Sequence, residues 1–125
     1  MVQNLTLLLA RILLSAIFIQ AGYNKLVGPA ASTAYIAKLG LPMPQAAWAV
    51  AVAVELGGGL LILLGYRTRV VALVLAAFCV ASGIAAHYHP GDTGQMIHFM
   101  KNLAIAGGFL QLAATGHGRY ALGRF

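Results

Sequence analysis

Glu55 is the residue of this sequence best suited to chemistry, because a carboxylate lies inside a long apolar run. An ionised carboxylate near the middle of a bilayer costs roughly 2.5 to 3.5 kcal/mol unless it is paired or hydrated. Arg11 lies in the preceding apolar run, at a depth that differs by roughly 6 Å at 1.5 Å per residue. An extended arginine covers that gap, so we predict a buried ion pair between Arg11 and Glu55, with an ion pair that only fixes helix packing as the alternative.

A second set of polar side chains is predicted near one face of the membrane, at the ends of the apolar runs. Those expected to hold carbonyl or anionic groups of a ligand are Lys25, His87, Lys101 and Asn102. Together they predict a polar cavity with Glu55 at its floor. His89, Asp92 and His98 fall in the same region, where side chains commonly meet only water and headgroups. Their spacing matches no standard ligand set, so no metal site is expected.

The composition indicates that the chain lies in a membrane. Of its 125 residues, 61% are hydrophobic and only 8% are charged, and so few charges cannot supply the polar surface of a soluble domain. The net charge of +6 is scattered beside apolar runs, so we expect a lipid bilayer and no nucleic acid as partner. A single cysteine, Cys79, excludes internal disulfides and CxxCH haem attachment, and no covalently bound cofactor is expected.

Four apolar runs are long enough to cross the bilayer, at about 5–24, 45–65, 69–87 and 96–115. The segment 29–40 begins with proline and stops at the sequence Gly-Leu-Pro, whose glycine is residue 40. This pattern is typical of a short interfacial helix. The predicted fold is therefore all-α, an integral membrane four-helix bundle forming a single domain over residues 1–125. Four arginines are on the side of the termini and place both termini in the cytoplasm. They are Arg67, Arg69, Arg119 and Arg124.

Each predicted span carries one stripe of mainly small and polar residues, which we expect to face the bundle interior. The stripes are Arg11, Ser15, Phe18, Gly22 and Lys25; Ala51, Glu55, Gly58, Ile62 and Gly65; Ala72, Ala76, Cys79, Gly83 and His87; and His98, Lys101, Ala104, Gly108, Gln111 and Thr115. So short a chain encloses little volume, and a homodimer through other small residues is a reasonable expectation. Those residues are Gly57, Gly59, Ala81 and Ala85.

Three segments resemble the DoxX family of small four-helix membrane proteins, and the resemblance covers essentially the whole chain. They are RILLSAIFIQAGYNK at 11–25, ELGGGLLILLGYRTR at 55–69, and Lys101-Asn102 followed by Gly107-Gly108. The resemblance implies a bacterial inner membrane protein in an oxidoreductase setting, such as thiosulfate:quinone oxidoreductase, quinone stress resistance or superoxide detoxification. The matched positions are Arg11, Gly22, Lys25, Glu55, Gly58, Gly65, Arg69, Lys101 and Asn102.

We therefore expect a multi-pass subunit that binds a quinone-like or small redox ligand between its helices and works with a partner redox enzyme. Glu55 would handle protons, and Arg11 would keep it ionised or positioned. The chain contains no dinucleotide fingerprint, so an accessory role is expected, and whether the chain is itself an enzyme stays open. Two other functions also stay open: a non-catalytic scaffold that recruits partners, and a small oligomeric transporter.

Overall fold

The computed structural model of the protein describes residues 1–123, and within them the chain forms five helices and no strand. The helices are α1 (Val2–Val27), α2 (Pro29–Lys38), α3 (Pro44–Leu64), α4 (Thr68–His87) and α5 (Thr93–Thr115). Each predicted span and the predicted short helix thus corresponds to one helix. Arg124, one of the arginines used to orient the chain, lies outside the described residues.

Within residues 1–123, three helices are long and apolar enough to cross a membrane: α1, α3 and α4. The fourth predicted span, α5, is a helix of 23 residues, but it falls short of the hydropathy of the other three because it carries lysine, histidine, asparagine and glutamine. The four-span prediction is therefore supported for three helices by length and composition.

Proline, glycine and aspartate set several helix boundaries. Pro29 and Pro44 are the first residues of α2 and α3, where proline loses no intrahelical hydrogen bond. Gly65 follows the last residue of α3 with φ of 72°, a left-handed conformation that costs glycine little. At the start of α5, the backbone N–H of Gln95 donates a hydrogen bond of 3.1 Å to Asp92 Oδ1, which satisfies one of the free donors of the first turn.

The middle of α3, Ala53–Gly57, is a π-helical turn with Glu55 at its centre. Such a turn holds more residues than an α-helical turn, so it shifts the face that the following residues present. The buried residues of α3 are Ala51, Glu55, Gly59 and Ile62. The sequence predicted Gly58 in the buried stripe, but Gly59 is buried instead because it packs closely on Phe18 and Ile19 of α1.

Two helix pairs make up the bundle. In the first pair, α1 approaches α3 so closely that a Cβ atom on Gly22 would lie 2.6 Å from the backbone nitrogen of Leu56. In the second pair, α4 and α5 pack along their lengths. The pairs meet at Phe18 and Phe109, whose rings are edge-to-face with centroids 5.4 Å apart. The buried core around this contact is Phe18, Ile62, Ala72, Leu75, Ala76, Cys79, Ala106, Phe109 and Leu112.

The predicted interior stripes are confirmed on α1 and α4, except for Lys25 and His87, which are partly exposed. The stripe predicted on α5 is wrong. On α5 the buried residues are Ala106, Phe109 and Leu112. The predicted members that are exposed are His98, Lys101, Ala104, Gln111 and Thr115. The rule that small and polar residues face inward fails there because Phe109 and Leu112 have more apolar surface to bury against Phe18 and α4.

We predict that Gly22→Ala destabilises the protein, because the added methyl group meets the backbone of α3 and must push the two helices apart. The expected loss is about 1–3 kcal/mol, measured by unfolding in detergent micelles. Gly57→Ala is the matched control, since a Cβ there meets nothing within 4 Å, and it should leave stability unchanged or slightly raised. Equal stability of the two variants would contradict the close approach at Gly22.

Candidate functional site

The two ends of the bundle differ in construction. At one end, here called the terminal face, residues 116–123 fold back over the start of α1 and the end of α3. The backbone N–H of Leu122 donates to the carbonyl of Leu64 at 2.9 Å, and the N–H of Arg119 donates to Asn4 Oδ1 at 3.0 Å. The other end, the opposite face, is formed by the end of α1, by α2 and by the loop between α4 and α5.

A cavity of about 1010 Å³ lies in the half of the bundle nearer the opposite face, and all five helices contribute to its wall. Its origin is a divergence of the two helix pairs. The first part of α3, Pro44–Val52, packs on α1 and α2, and among the described residues it does not approach α4 or α5. The wall is mainly apolar, and its polar side chains include Asn24, Lys25, Tyr35, Glu55, Ser82, His87 and Asn102.

Glu55 and Lys25 form an ion pair on the wall of this cavity. Lys25 Nζ lies 2.9 Å from Oε1 and 3.0 Å from Oε2 of Glu55, so the ammonium contacts both carboxylate oxygens. The Glu55 side chain is 6% exposed and the Lys25 side chain 29% exposed. The pair therefore has a buried acidic member and a cationic member that reaches the cavity. Trp48 Nε1 donates to the carbonyl of Lys25 at 2.8 Å, which ties the end of α1 to α3.

The predicted pair between Arg11 and Glu55 is wrong, and the direction of helical side chains explains why. Side chains lean toward the N-terminus of their helix. On α1 this directs Arg11 toward the terminal face, away from Glu55, and directs Lys25 back toward the middle of the bundle. Because α3 runs antiparallel to α1, Glu55 leans toward the opposite face and meets Lys25.

Arg11 instead holds the chain's C-terminal segment, residues 116–123. The residue is 1% exposed, and its guanidinium donates hydrogen bonds to the backbone carbonyls of His117 and Tyr120. It packs against Gly65, where any Cβ atom would overlap the guanidinium. Carbonyl groups thus take the place of a carboxylate partner for this buried cation. The role of Arg11 in the structure is to close the terminal face of the bundle.

The structure brings two of the other predicted ligand-binding residues to the cavity. Asn102 lines it and donates from Nδ2 to the carbonyl of Cys79 at 3.1 Å. His87 lines it as well, with Nδ1 2.8 Å from Gln95 Oε1. Lys101 is exposed on α5 and does not line the cavity, so its predicted place beside Asn102 in the site is wrong.

Histidine clustering at the opposite face is limited to one ring contact, between His87 and His98, whose centroids are 5.3 Å apart. Within residues 1–123, no group of three or more His, Cys, Asp or Glu side chains is arranged to hold a metal ion.

The sequence did not indicate three residues of the site. Tyr35 and Ser82 line the cavity, and Trp48 binds the backbone of Lys25. Ser82 follows Cys79 by three residues and precedes His87 by five, so helical spacing could have placed it near the α4 stripe. Nothing in the sequence indicates that Trp48 binds the carbonyl of Lys25 or that Tyr35 on α2 faces the cavity. The first contact depends on how α3 packs on α1, and the second on where α2 lies against the bundle.

The sequence profile of the DoxX family matches residues 6–88, more than half of the chain. The chain belongs to the DoxX family. The match includes both members of the Lys25–Glu55 pair and ends after α4. The family assignment made from the three sequence segments is therefore confirmed.

Two relatives from Escherichia coli (strain K12) extend this DoxX match to α5. The inner membrane protein YqjF is 38% identical over 125 residues, which cover 98% of this chain and 92% of YqjF. The inner membrane protein YphA is 40% identical over 123 residues, which cover 94% of this chain and 88% of YphA. No solved structure matches the chain. The protein is thus a DoxX family membrane protein with several apolar helices.

We predict that Lys25→Met destabilises this DoxX protein more than Glu55→Gln does. The first variant leaves a carboxylate buried without a cation, at a cost on the order of 2 kcal/mol. The second leaves a partly exposed lysine that can reach water. The double variant should lose less than the sum of the two single losses, as measured by unfolding in micelles, whereas additive losses would show that the two side chains do not interact.

We also predict that Arg11→Met releases residues 116–123. The lost charge-assisted hydrogen bonds contribute about 1.5–3 kcal/mol each, so trypsin should cleave after Arg119 at least about tenfold faster. Cleavage after Lys38, on α2, is the internal control and should keep its rate. Arg67→Met removes an exposed arginine at the same face and should leave both rates unchanged. An unchanged rate at Arg119 in Arg11→Met would show that Arg11 does not hold the segment.

Proposed function

We propose that this protein is a subunit of a membrane redox system and binds a quinone-like molecule in the cavity beside the Lys25–Glu55 pair. The observation that carries the proposal is an ion pair on the wall of an otherwise mainly apolar cavity of about 1010 Å³. Binding sites for small organic molecules are typically about 300–1,000 Å³, apolar, with a few polar groups that orient the ligand. A planar ring with carbonyl oxygens and an apolar tail suits such a site.

The pair supports both hydrogen bonding and proton transfer to such a ring. Lys25 Nζ, which is partly exposed to the cavity, donates to a ring oxygen. In the quinol-oxidising direction, two electrons pass to the partner enzyme and two protons leave the hydroxyl groups. The ionised carboxylate of Glu55 accepts one proton, and water at the cavity mouth accepts the other. Lys25 takes the role that the sequence assigned to Arg11, keeping Glu55 ionised and in position.

The facing wall of the cavity supplies further polar groups. Asn102 and His87 come from α5 and α4, whereas Lys25 and Glu55 come from α1 and α3. A ring held between the two walls has one oxygen near the ion pair and the other near Asn102 and His87. Arg11 and Lys101 have no part in this site, because neither lines the cavity.

We further propose that the chain is a single domain of four spans, with α5 as the fourth and α2 at the membrane surface, in a bacterial inner membrane. The relatives named as inner membrane proteins support this location. The length of α5 and its packing along α4 support its place as a span. Arg67, Arg69 and Arg119 belong to the terminal face, and these basic residues favour a cytoplasmic position for both termini.

Fluorescence of Trp48 tests the proposed ligand. It is the only tryptophan in the chain and binds the carbonyl of Lys25, so a quinone beside Lys25 should quench it. A ubiquinone analogue with one isoprenoid unit, titrated into the protein in micelles, should quench saturably. Glu55→Gln and Lys25→Met should each weaken binding about tenfold or more, because each removes a charged hydrogen-bonding partner.

Lys38→Met is the matched control for this titration, since it removes the same charge from α2 at a position that does not line the cavity. Its affinity for the analogue should equal that of the unaltered protein. Quenching that does not saturate, or equal affinities for all four proteins, would overturn the proposed site.

A further inference from the structure

One face of α5 is uncovered in the bundle and nevertheless carries polar side chains. It is formed by Lys101, Ala104, Gly107 and Gln111, here called the α5 outer face, and all four residues are exposed. A Cβ atom on Gly107 would meet nothing within 4 Å, whereas one on the adjacent Gly108 would contact Leu14 of α1. The outer face thus begins where the packing against α1 ends, and within residues 1–123 no other helix covers it.

Lys101 makes this face unsuited to acyl chains. It follows Thr93, the first residue of α5, by eight residues, which corresponds to about 12 Å along the helix axis. It is therefore within a few ångströms of the middle of a helix of 23 residues. A charge at that depth is costly in lipid, and such residues commonly face a protein partner or an aqueous cavity. Lys101 forms no ion pair or hydrogen bond with the described residues, and it does not line the cavity.

Neither acidic side chain of the sequence is placed to pair with Lys101. The 125 residues include only two, Glu55 and Asp92. Glu55 is buried and paired with Lys25. Asp92 precedes Lys101 by nine residues, or about 13 Å along the axis, and binds the first turn of α5. A second copy packed on this face would bring the same two acids, of which Glu55 is buried against its own Lys25 and Asp92 is at the end of α5.

We propose that the α5 outer face docks a transmembrane helix of a different membrane protein, one that carries a carboxylate at the depth of Lys101. Ala104 and Gly107 let the two helix backbones approach closely. Gln111 offers a hydrogen bond about one turn beyond Gly107, toward the terminal face. Charge complementarity indicates the kind of partner. Since neither Glu55 nor Asp92 is placed to pair with Lys101, we expect the carboxylate to belong to another membrane protein. The proposal rests on the proposed placement of α5 as a span.

A designed peptide tests this docking chemistry. The full chain, labelled with a donor dye, is reconstituted in phosphatidylcholine vesicles with an acceptor-labelled leucine–alanine transmembrane peptide that carries one glutamate at its centre. Energy transfer should exceed the random level, and a peptide with glutamine in place of glutamate should associate about fivefold more weakly. Lys101→Met should lower association with the glutamate peptide by a similar factor, and Lys38→Met should not.

Steric variants separate the α5 outer face from other surfaces. Gly107→Leu fills the open space on this face and should reduce association while leaving unfolding in micelles unchanged. Ala77→Leu, at an exposed position in the middle of α4, should alter neither. Trp48 quenching by the ubiquinone analogue should be normal in Lys101→Met and Gly107→Leu, so a failure of docking and a failure of quinone binding are observed separately.

Three outcomes would overturn the proposal. The first is equal association of the glutamate peptide with the unaltered chain and with Lys101→Met. The second is loss of that association when half of the phosphatidylcholine is replaced by phosphatidylglycerol, which would assign Lys101 to anionic headgroups. The third is energy transfer between two copies of the chain, if both Lys101→Met and Gly107→Leu abolish that transfer. This result would assign the α5 outer face to a homodimer.

Discussion

A charged group buried among apolar helices needs a partner, and this requirement organises the bundle. Glu55 is a buried carboxylate in the middle of α3, and Lys25 contacts both of its oxygens. Because the two residues belong to neighbouring antiparallel helices, their attraction fixes how far α1 and α3 are offset along their axes. The close approach of Gly22 to Leu56, one turn from Lys25, is compatible with that offset. Trp48 then secures the end of α1 through a carbonyl of the same lysine.

The second buried charge is satisfied in a different way, and the difference distinguishes the two ends of the molecule. Arg11 binds carbonyl groups of residues 116–123 and does not line the large cavity. Lys25 binds a side chain on a helix that diverges from α4, and so it borders a large space. Arg11, held by backbone carbonyls, fixes a chain segment. Lys25, paired with an acid beside a cavity, is a charged group that a ligand in the cavity could contact.

The π-helical turn connects the packing of α3 with this site. The turn is centred on Glu55, the residue that presents the carboxylate. Just beyond it, Gly59 faces α1, where a Cβ atom would meet Ile19, and Gly58 lies against Leu75 of α4. Ile62 is buried in the core. Turns of this kind are frequent at functional sites.

The sequence alone determined the helices, the interior faces of α1 and α4, the family and the place of Glu55 inside an apolar helix, because apolar run length, helical periodicity and a carboxylate among apolar residues are local properties. Tertiary structure decided which cation pairs with Glu55. The pairing depends on the direction in which side chains extend from the antiparallel helices α1 and α3, and on the hydrogen bonds that Arg11 makes to residues 116–123. It also decided which face of α5 is buried, because Phe109 packs on Phe18 and outweighs the polar stripe that includes Lys101. Distances between residues far apart in the chain settled both questions, and no local pattern encodes them.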